Sequence, residues 1–362
     1  MVLICPTLSQ PRFHKRANEL AKLYDLHIFA FSRGLYEVNE FDPSYKLTNL
    51  GAVQDKKYYQ RIFSLIKGVL RLRKELQKQK NCAIYFWAFS LDVLLMAYFA
   101  GLKNGVYEVA DIRFDRSKKS VLTIIENFLS RIVLLIVVTS EGFISEVKRA
   151  GDSIRKKEFH LIENKLSKEV LHPLNSKVKD KIERPRVGVI GFLRYEIPLK
   201  SLLYSDAVRN GNIEVHCWGD GPFRTLFEDC GLQNVHYYGP FKNPEQLASI
   251  YDTVDMNFVV YGGDEDSEKG VQLAIPNKFF ESIYFGTPII CRKNTELAKR
   301  VTSLDVGIAV SIDDLKILDG ILNQRKLKMQ KENCQKIEEK TLFNSDEITK
   351  ISERLRKLSE NA

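Results

Sequence analysis

The chain is predicted to be an α/β protein built of two doubly wound, mainly parallel sheets. Three observations predict it. At 362 residues the chain has room for two domains, and its 44% hydrophobic content is ordinary for a globular protein. Short apolar runs alternate with helical patterns, which points to parallel strands covered by helices on both faces. A polar, charged stretch over 170–186, bracketed by Pro173 and Pro185, interrupts the alternation, which then restarts. The expected domains are 1–180 and 181–343, followed by a terminal segment 344–362.

The first half reads in order. Val2–Cys5 is a buried strand. Arg12 to Leu23 is a helix with Phe13, Ala17, Leu20 and Leu23 at helical spacing. Leu26–Phe31 is a second strand. Cys82 to Leu102 carries one charge, Asp92, over 21 residues, which is long enough for a membrane span. The aromatic-rich first part and the Ser-Leu-Asp break favour a buried strand, Ala83–Ala88, and then a helix capped by Ser90 and ended by Gly101. Gly105–Ala110 is a further strand. A helix from Ser120 to Arg131 precedes the apolar strand Ile132–Thr139.

The second half repeats the scheme. Strands are expected at Arg186–Gly191, Glu214–Trp218, Val235–Tyr238, Met256–Val260, Thr287–Cys291 and Gly307–Val310, with helices between them. Asn344 to Leu358 has the pattern of an amphipathic helix. Ligands of doubly wound sheets bind at the carboxyl ends of the strands. Two such domains are expected to face each other across a cleft.

Charge is divided unevenly. Residues 1–180 carry 30 Lys/Arg and 19 Asp/Glu, a net of +11, whereas residues 181–362 have a net of −2. A basic half implies an anionic partner surface, either nucleic acid or membrane headgroups. No signature of a nucleic-acid module occurs, which leaves the membrane as the expected partner. The six cysteines form no Cys-x-x-Cys pair, a pattern of reduced, mostly buried thiols in a cytoplasmic protein. No secretory leader is expected, because Pro6 ends the short run Leu3-Ile4-Cys5.

The most informative stretch is Ile275-Pro276-Asn277-Lys278-Phe279-Phe280-Glu281-Ser282-Ile283-Tyr284-Phe285-Gly286-Thr287-Pro288-Ile289-Ile290. A helix is predicted to open after Pro276 and close on Gly286, since Pro is tolerated at a helix start and Gly ends one. First-turn amides of such a helix bind an anion such as a diphosphate. Asn277 and Lys278 stand at that start, and Lys278 adds positive charge. Glu281, one turn on, offers a carboxylate to a ribose diol. An ordinary helix-to-strand junction with a surface Glu is the plain alternative. The Pro-x-Lys-x-x-Glu…Gly-x-Pro pattern closely resembles that of sugar-nucleotide glycosyltransferases with the GT-B fold, of the family 4 type.

That resemblance implies two Rossmann-like domains. The first takes the acceptor, the second takes the nucleotide sugar, and a C-terminal helix crosses back to the first. Val187-Gly188-Val189-Ile190-Gly191-Phe192-Leu193-Arg194 is similar to the first strand and turn of the family's second domain. The likeness implies donor contacts at Gly191, Phe192 and Arg194, with Arg194 on the diphosphate and Lys200 as a second cation. An Arg fork matches two phosphate oxygens. Trp218-Gly219-Asp220-Gly221-Pro222 resembles the family's Gly-x-Gly-Pro turn, in which Gly219 serves backbone geometry. Tyr237-Tyr238-Gly239-Pro240-Phe241 resembles the loop beside the nucleobase, so Tyr238 or Phe241 would stack on a base; core packing explains them equally.

The chain also departs from the family. Many members carry Glu-x7-Glu, but Leu273 stands eight residues before Glu281. A retaining mechanism thereby loses its first Glu, and the balance tilts toward inversion. Asp264-Glu265-Asp266 spells the metal signature of a different glycosyltransferase fold, without that fold's context. No metal and no cofactor is expected beyond the nucleotide-sugar donor, UDP- or GDP-linked.

On the acceptor side, Pro11-Arg12-Phe13-His14-Lys15-Arg16 follows the first strand. The resemblance places an acceptor loop here. Arg12, His14 and Arg16 would then bind a phosphate of a lipid-linked glycan, or else form a solvated basic face. Val106-Tyr107-Glu108-Val109-Ala110-Asp111 ends a strand with two acids. Sugar transfer needs a base for the acceptor hydroxyl, and a carboxylate at a strand end suits that task. Asp111 is the first choice and Glu108 the second; a charged loop anchoring Arg113 is the alternative. Tyr58 to Lys80 is a basic amphipathic helix with Phe63, Ile66, Leu70 and Leu72 as its apolar stripe. Such a helix lies in a membrane interface or covers a core. The chain therefore reads as a metal-independent glycosyltransferase of cell-surface polysaccharide synthesis, at the cytoplasmic face of the membrane. A non-catalytic GT-B scaffold and a sugar-nucleotide epimerase are the other readings.

Overall fold

The computed structural model describes residues 1–8, 10–32, 44–53, 58–78, 84–112, 114–116, 120–166, 184–263, 268–312, 318, 324–344 and 346–360, without the side chains of 11 and 58–61. Most of the expected linker, the Asp264–Asp266 acids and Arg113 lie outside the described residues. The chain forms two compact units. Unit 1 comprises Met1–Glu163 and Ser345–Ala362, and unit 2 comprises Asn164–Asn344.

Unit 1 contains β1 (Val2–Cys5), β2 (His27–Ser32), β3 (Lys46–Ala52), β4 (Phe86–Ala88), β5 (Gly105–Val109), β6 (Val133–Val138) and β7 (Glu158–Leu161). They pair in the order β3-β2-β1-β4-β5-β6-β7, and each pairing is parallel. Unit 2 contains β8 (Arg186–Ile190), β9 (Glu214–Trp218), β10 (Val235–Gly239), β11 (Met256–Val259), β12 (Ile289–Arg292) and β13 (Gly307–Val310). Their order is β10-β9-β8-β11-β12-β13, again parallel throughout. In each sheet the strand order reverses beside the first strand, between β1 and β4 and between β8 and β11. That is the doubly wound topology, and its ligand crevice opens at the carboxyl ends flanking the reversal.

β3 and β7 have no counterpart in the sequence reading. They are the two edges of the unit 1 sheet. β3 reads Lys-Leu-Thr-Asn-Leu-Gly-Ala and is largely exposed, and β7 reads Glu-Phe-His-Leu. A central parallel strand is buried on both faces and shows a continuous apolar run; an edge strand need not.

The Cys82–Leu102 segment does divide into a strand, β4, and a helix, Leu91–Phe99. Ser90 occupies the N-cap, but its hydroxyl accepts from no helix amide and instead donates to the Asp92 carboxylate. Gly101, at φ +83°, ends the helix. No helix among the described residues is long and apolar enough to cross a membrane.

The Tyr58–Gln77 helix corrects the predicted stripe. Gly68 sits so close to helix and sheet that a Cβ there would lie 2.7 Å from Met96 and 2.9 Å from Phe31. Leu72 is fully buried on that inward face, whereas Ile62, Phe63, Ile66 and Leu70 are exposed. The apolar residues therefore divide between two faces, because the smallest residue, Gly68, sets which side approaches the sheet.

The Glu347–Glu360 helix belongs to unit 1. Ile348, Ile351 and Leu355 join the core that contains Leu3, Ile28 and Leu135. The Tyr85 and Ser359 hydroxyls meet at 2.7 Å, and Arg354 donates to Glu158 at 2.8 Å. Leu355→Ala is expected to cost unit 1 about 2–5 kcal/mol, the usual cost of emptying a buried Leu site. Urea unfolding followed by Trp87 fluorescence in a Trp218→Phe background checks this, and a shift below about 1 kcal/mol would make the helix an accessory.

Candidate functional site

The donor-side residues converge in unit 2 at the carboxyl ends of β8 and β9. The chain leaves β8 through Gly191, at φ +123°, whose amide donates to the Trp218 carbonyl at 2.8 Å. It leaves β9 through Gly219, at φ +150°, where a Cβ would lie 1.8 Å from the Gly191 carbonyl oxygen. Only glycine permits both that backbone and that approach. The Leu193 amide donates to Asp220 at 2.8 Å and nests the two turns further.

Lys278 lies over this pair of turns. Its Cε would be 3.4 Å from a Cβ at Gly191, and its ammonium is 5.6 Å from the centre of the Phe241 ring. The Asn277–Tyr284 helix that carries it has Pro276 at its N-cap, as the punctuation predicts. Lys278 and Glu281 are both buried and face each other at 2.6 Å. Asn277 Nδ2 donates to Glu281 Oε1 at 2.7 Å, and Tyr251 Oη donates to Oε2 at 3.2 Å. Burial and then the Glu281 charge hold the Tyr251 phenol well above its ordinary pKa, so it stays a donor. Lys278 is thus not a free mobile charge; it is the partner of the carboxylate expected to read the ribose. A carboxylate has about four acceptor sites, of which three donors occupy three.

Arg194 is exposed, between the rings of Phe192 at 5.8 Å and Tyr195 at 5.6 Å. Burial raises the Tyr261 phenol; the Arg194 charge opposes the rise and the Glu281 charge adds to it. Arg194 and Glu281 therefore act on the same point beyond β11. Lys200 lies on the Glu196–Leu203 helix and pairs with Glu196 at 2.6 Å on an exposed face. Tyr238 is half exposed, but one ring face is stacked on Trp218 at 4.6 Å and 12°. Of the two, Phe241 is the one whose ring lies beside Lys278. Tyr251, Asn257 and Tyr261 were not foreseen. Asn257 Nδ2 reaches Tyr251 Oη at 3.2 Å and Ser282 Oγ at 2.8 Å. A buried Asn or Tyr in an apolar strand or helix gives no local signal of what it touches.

Unit 1 brings the acceptor-side residues together at its own reversal point, with a division the sequence did not show. Glu108 is buried, and both of its oxygens are taken. Arg16 Nε and Nη2 donate to it at 3.0 and 3.2 Å, and Trp87 Nε1 donates at 2.7 Å. Arg16 spends its remaining fork on Glu19 at 2.7 Å. The pair is an internal brace, buried away from solvent. His14 Nε2 donates to the Leu8 carbonyl at 2.7 Å, and burial lowers its pKa, so it is a neutral tether of the loop. Arg12 and Asp111 are left at the surface, 3.4 Å apart, with Asp111 54% exposed. Arg12 Nε is buried without a hydrogen-bond partner among the described residues. Arg16→Met is expected to destabilise unit 1 by about 3–5 kcal/mol, and Arg12→Met by no more than about 1 kcal/mol. Equal losses for the two variants in urea unfolding would overturn the division.

Two doubly wound units, with a final helix returning to the first, match the GT-B fold. Solved structures share it along their full length. Sucrose-phosphate synthase from Thermosynechococcus elongatus superposes with a TM-score of 0.70 at 14% identity, covering 100% of this chain and 99% of that one. Anabaena HepE, solved with UDP and glucose, gives 0.64 at 14% identity, covering 98% and 99%. Among curated sequences, the succinoglycan biosynthesis protein ExoL of Rhizobium meliloti is 25% identical over 293 residues, 75% of this chain and 71% of that protein. No protein-family profile matches the chain.

Proposed function

We propose that this chain is a glycosyltransferase of polysaccharide biosynthesis, moving a sugar from a nucleotide-sugar donor to a glycan acceptor. One observation carries the proposal: the Lys278–Glu281 helix start meets the Gly191 and Gly219 turns at the carboxyl ends of β8 and β9. The polysaccharide role of ExoL and the UDP held by HepE support the same class of chemistry.

In the proposed mechanism the diphosphate lies on the Gly191 turn, between Lys278 and Arg194. Glu281 accepts from the ribose through its remaining site, and Phe241 lies beside the base. The acceptor hydroxyl oxygen bonds to the anomeric carbon as the bond to the diphosphate oxygen breaks. Asp111 takes the hydroxyl proton. The developing charge on the leaving diphosphate is met by Arg194, Lys278 and the helix start, with no metal in the step. This course inverts the anomeric centre. Arg12, beside Asp111 and with Nε unpartnered, suits a phosphate of a lipid-linked acceptor.

Two variants separate binding from chemistry. Glu281→Gln is expected to weaken UDP binding by about 1–3 kcal/mol in calorimetry, the scale of a hydrogen bond to a charged group. Asp111→Asn is expected to bind UDP normally and lose turnover by ~10²–10⁴-fold. Normal turnover in Asp111→Asn, or a product that keeps the donor's anomeric configuration, would reassign the base. UDP binding with neither transfer nor sugar interconversion would favour the scaffold reading, and interconversion without an acceptor the epimerase.

We further propose that unit 1 docks on anionic membrane. Ile62, Phe63, Ile66 and Leu70 face outward beside Lys67, Arg71, Arg73 and Lys74. A second outward patch, unforeseen in the sequence, joins Tyr98, Phe99, Val121, Leu122, Ile124 and Phe128. Apolar side chains ringed by Lys and Arg suit a headgroup interface. Binding to phosphatidylglycerol vesicles is expected to weaken with added salt, as screening shortens to about 8 Å at physiological ionic strength. The double variant Phe63→Ser, Leu70→Ser is expected to reduce it further. Equal partitioning to neutral and anionic vesicles would count against docking.

A further inference from the structure

The edge of the unit 2 sheet carries a cluster that the transfer chemistry does not use. His216 of β9 and His236 of β10 are direct partners in the parallel ladder. Glu214 precedes His216 by two residues, so it projects from the same sheet face. One ligand atom from each of the three lies within 4.8 Å of the others. We propose that Glu214, His216 and His236 form a binding site for a divalent transition-metal ion, with zinc as the reference occupant.

The donor set argues for this class of ion. Two imidazoles and one carboxylate suit zinc and its neighbours; magnesium and calcium prefer oxygen alone. His216 Nε2 and Glu214 Oε2 are 3.4 Å apart. Two ligands on a tetrahedral zinc, at bonds of about 2.0–2.1 Å, stand about 3.3 Å apart. The His216 and His236 ring centres are 4.9 Å apart, within reach of one ion after a small ring rotation.

The surroundings fit a ligand set as well. His216 Nδ1 faces Tyr238 Oη at 3.0 Å, which would orient the ring and leave Nε2 for the metal. Tyr238 is held in turn by its stack on Trp218. The other Glu214 oxygen faces the Arg184 guanidinium at 3.5 Å, so Oε2 is the oxygen open to an ion. His216 is buried, while Glu214 and His236 are half-buried and leave a route from solvent. Three protein ligands leave at least one position for water.

Position decides the role. Glu214 opens β9, at the amino end of the strands, whereas the donor turns leave their carboxyl ends. The ion would therefore clip the edge strand β10 to β9 and fix the Trp218–Tyr238 stack, without entering the transfer step. An edge strand is the part of a sheet that most needs such a restraint.

The test uses the full chain after chelator treatment. Zinc calorimetry is expected to show one saturable site per chain. His236→Ala, a change at a half-buried position, is expected to weaken it by more than the ~10–100-fold that loss of an outer-shell partner costs. Cobalt in place of zinc is expected to give a d–d spectrum without thiolate charge-transfer bands, which excludes the cysteines as ligands. Copper is expected to quench fluorescence in the parent chain and not in Trp218→Phe. No saturable binding, unchanged affinity in His236→Ala, a thiolate band, or quenching that survives in Trp218→Phe would each overturn the proposal.

Discussion

The candidate donor site in unit 2 depends on one buried carboxylate. Glu281 is 3% exposed, and a charge in that position persists only if it is paired and hydrogen-bonded. Asn277, Lys278 and Tyr251 supply those bonds. Tyr251 is tied to Asn257, and Asn257 to Ser282. One side chain thus links the Asn277–Tyr284 helix, the Leu247–Thr253 helix and β11. The same network holds the Lys278 ammonium against the Gly191 turn, where an anion would lie. Under the proposed function, stability and binding would draw on the same charges, and a ligand would share bonds that already hold the fold.

Unit 1 solves a similar problem twice on one strand. β5 places Tyr107 and Glu108 on opposite faces of the sheet. Tyr107 donates to Glu126, which Arg116 grips through two bonds of 2.6 Å. Glu108 is gripped by Arg16 and Trp87. The second brace fixes the Pro11–Ala21 helix to the sheet. Arg12, one turn before Arg16 on that helix, is thereby set beside Asp111. Burial and the Glu108 charge also push the Cys5 thiol up, which leaves it an inert core residue. The braces position the surface pair without taking part in it.

Most of the architecture was legible in the chain. Parallel central strands must be apolar on both faces, so β1, β5, β6 and β8 announce themselves. The helix start at Pro276 and the turn at Gly191 were legible because backbone geometry restricts those positions to few residue types. The edge strands β3 and β7 were not, since half their side chains face water. In Tyr58–Gln77 the outward residues Phe63, Ile66 and Leu70 were legible as an apolar stripe, but the inward turn of Leu72 was not; the outward face of Val121–Leu129 was hidden, because a helix with two apolar sides does not say which one the sheet takes.

The sequence by itself determined the two doubly wound units and the candidate donor segment, since these follow from periodicity and punctuation along the chain; the return of the terminal helix to the first unit was implied by the family resemblance alone. Tertiary structure alone decided which charges stay exposed and which become internal braces. Glu108 and Asp111 are three residues apart and chemically alike. One is enclosed by Arg16 and Trp87, and the other is paired with Arg12 at the surface. Arg16 is separated from Glu108 by 92 residues, and Glu281 from Tyr251 by 30. Such partners meet only when the sheet assembles.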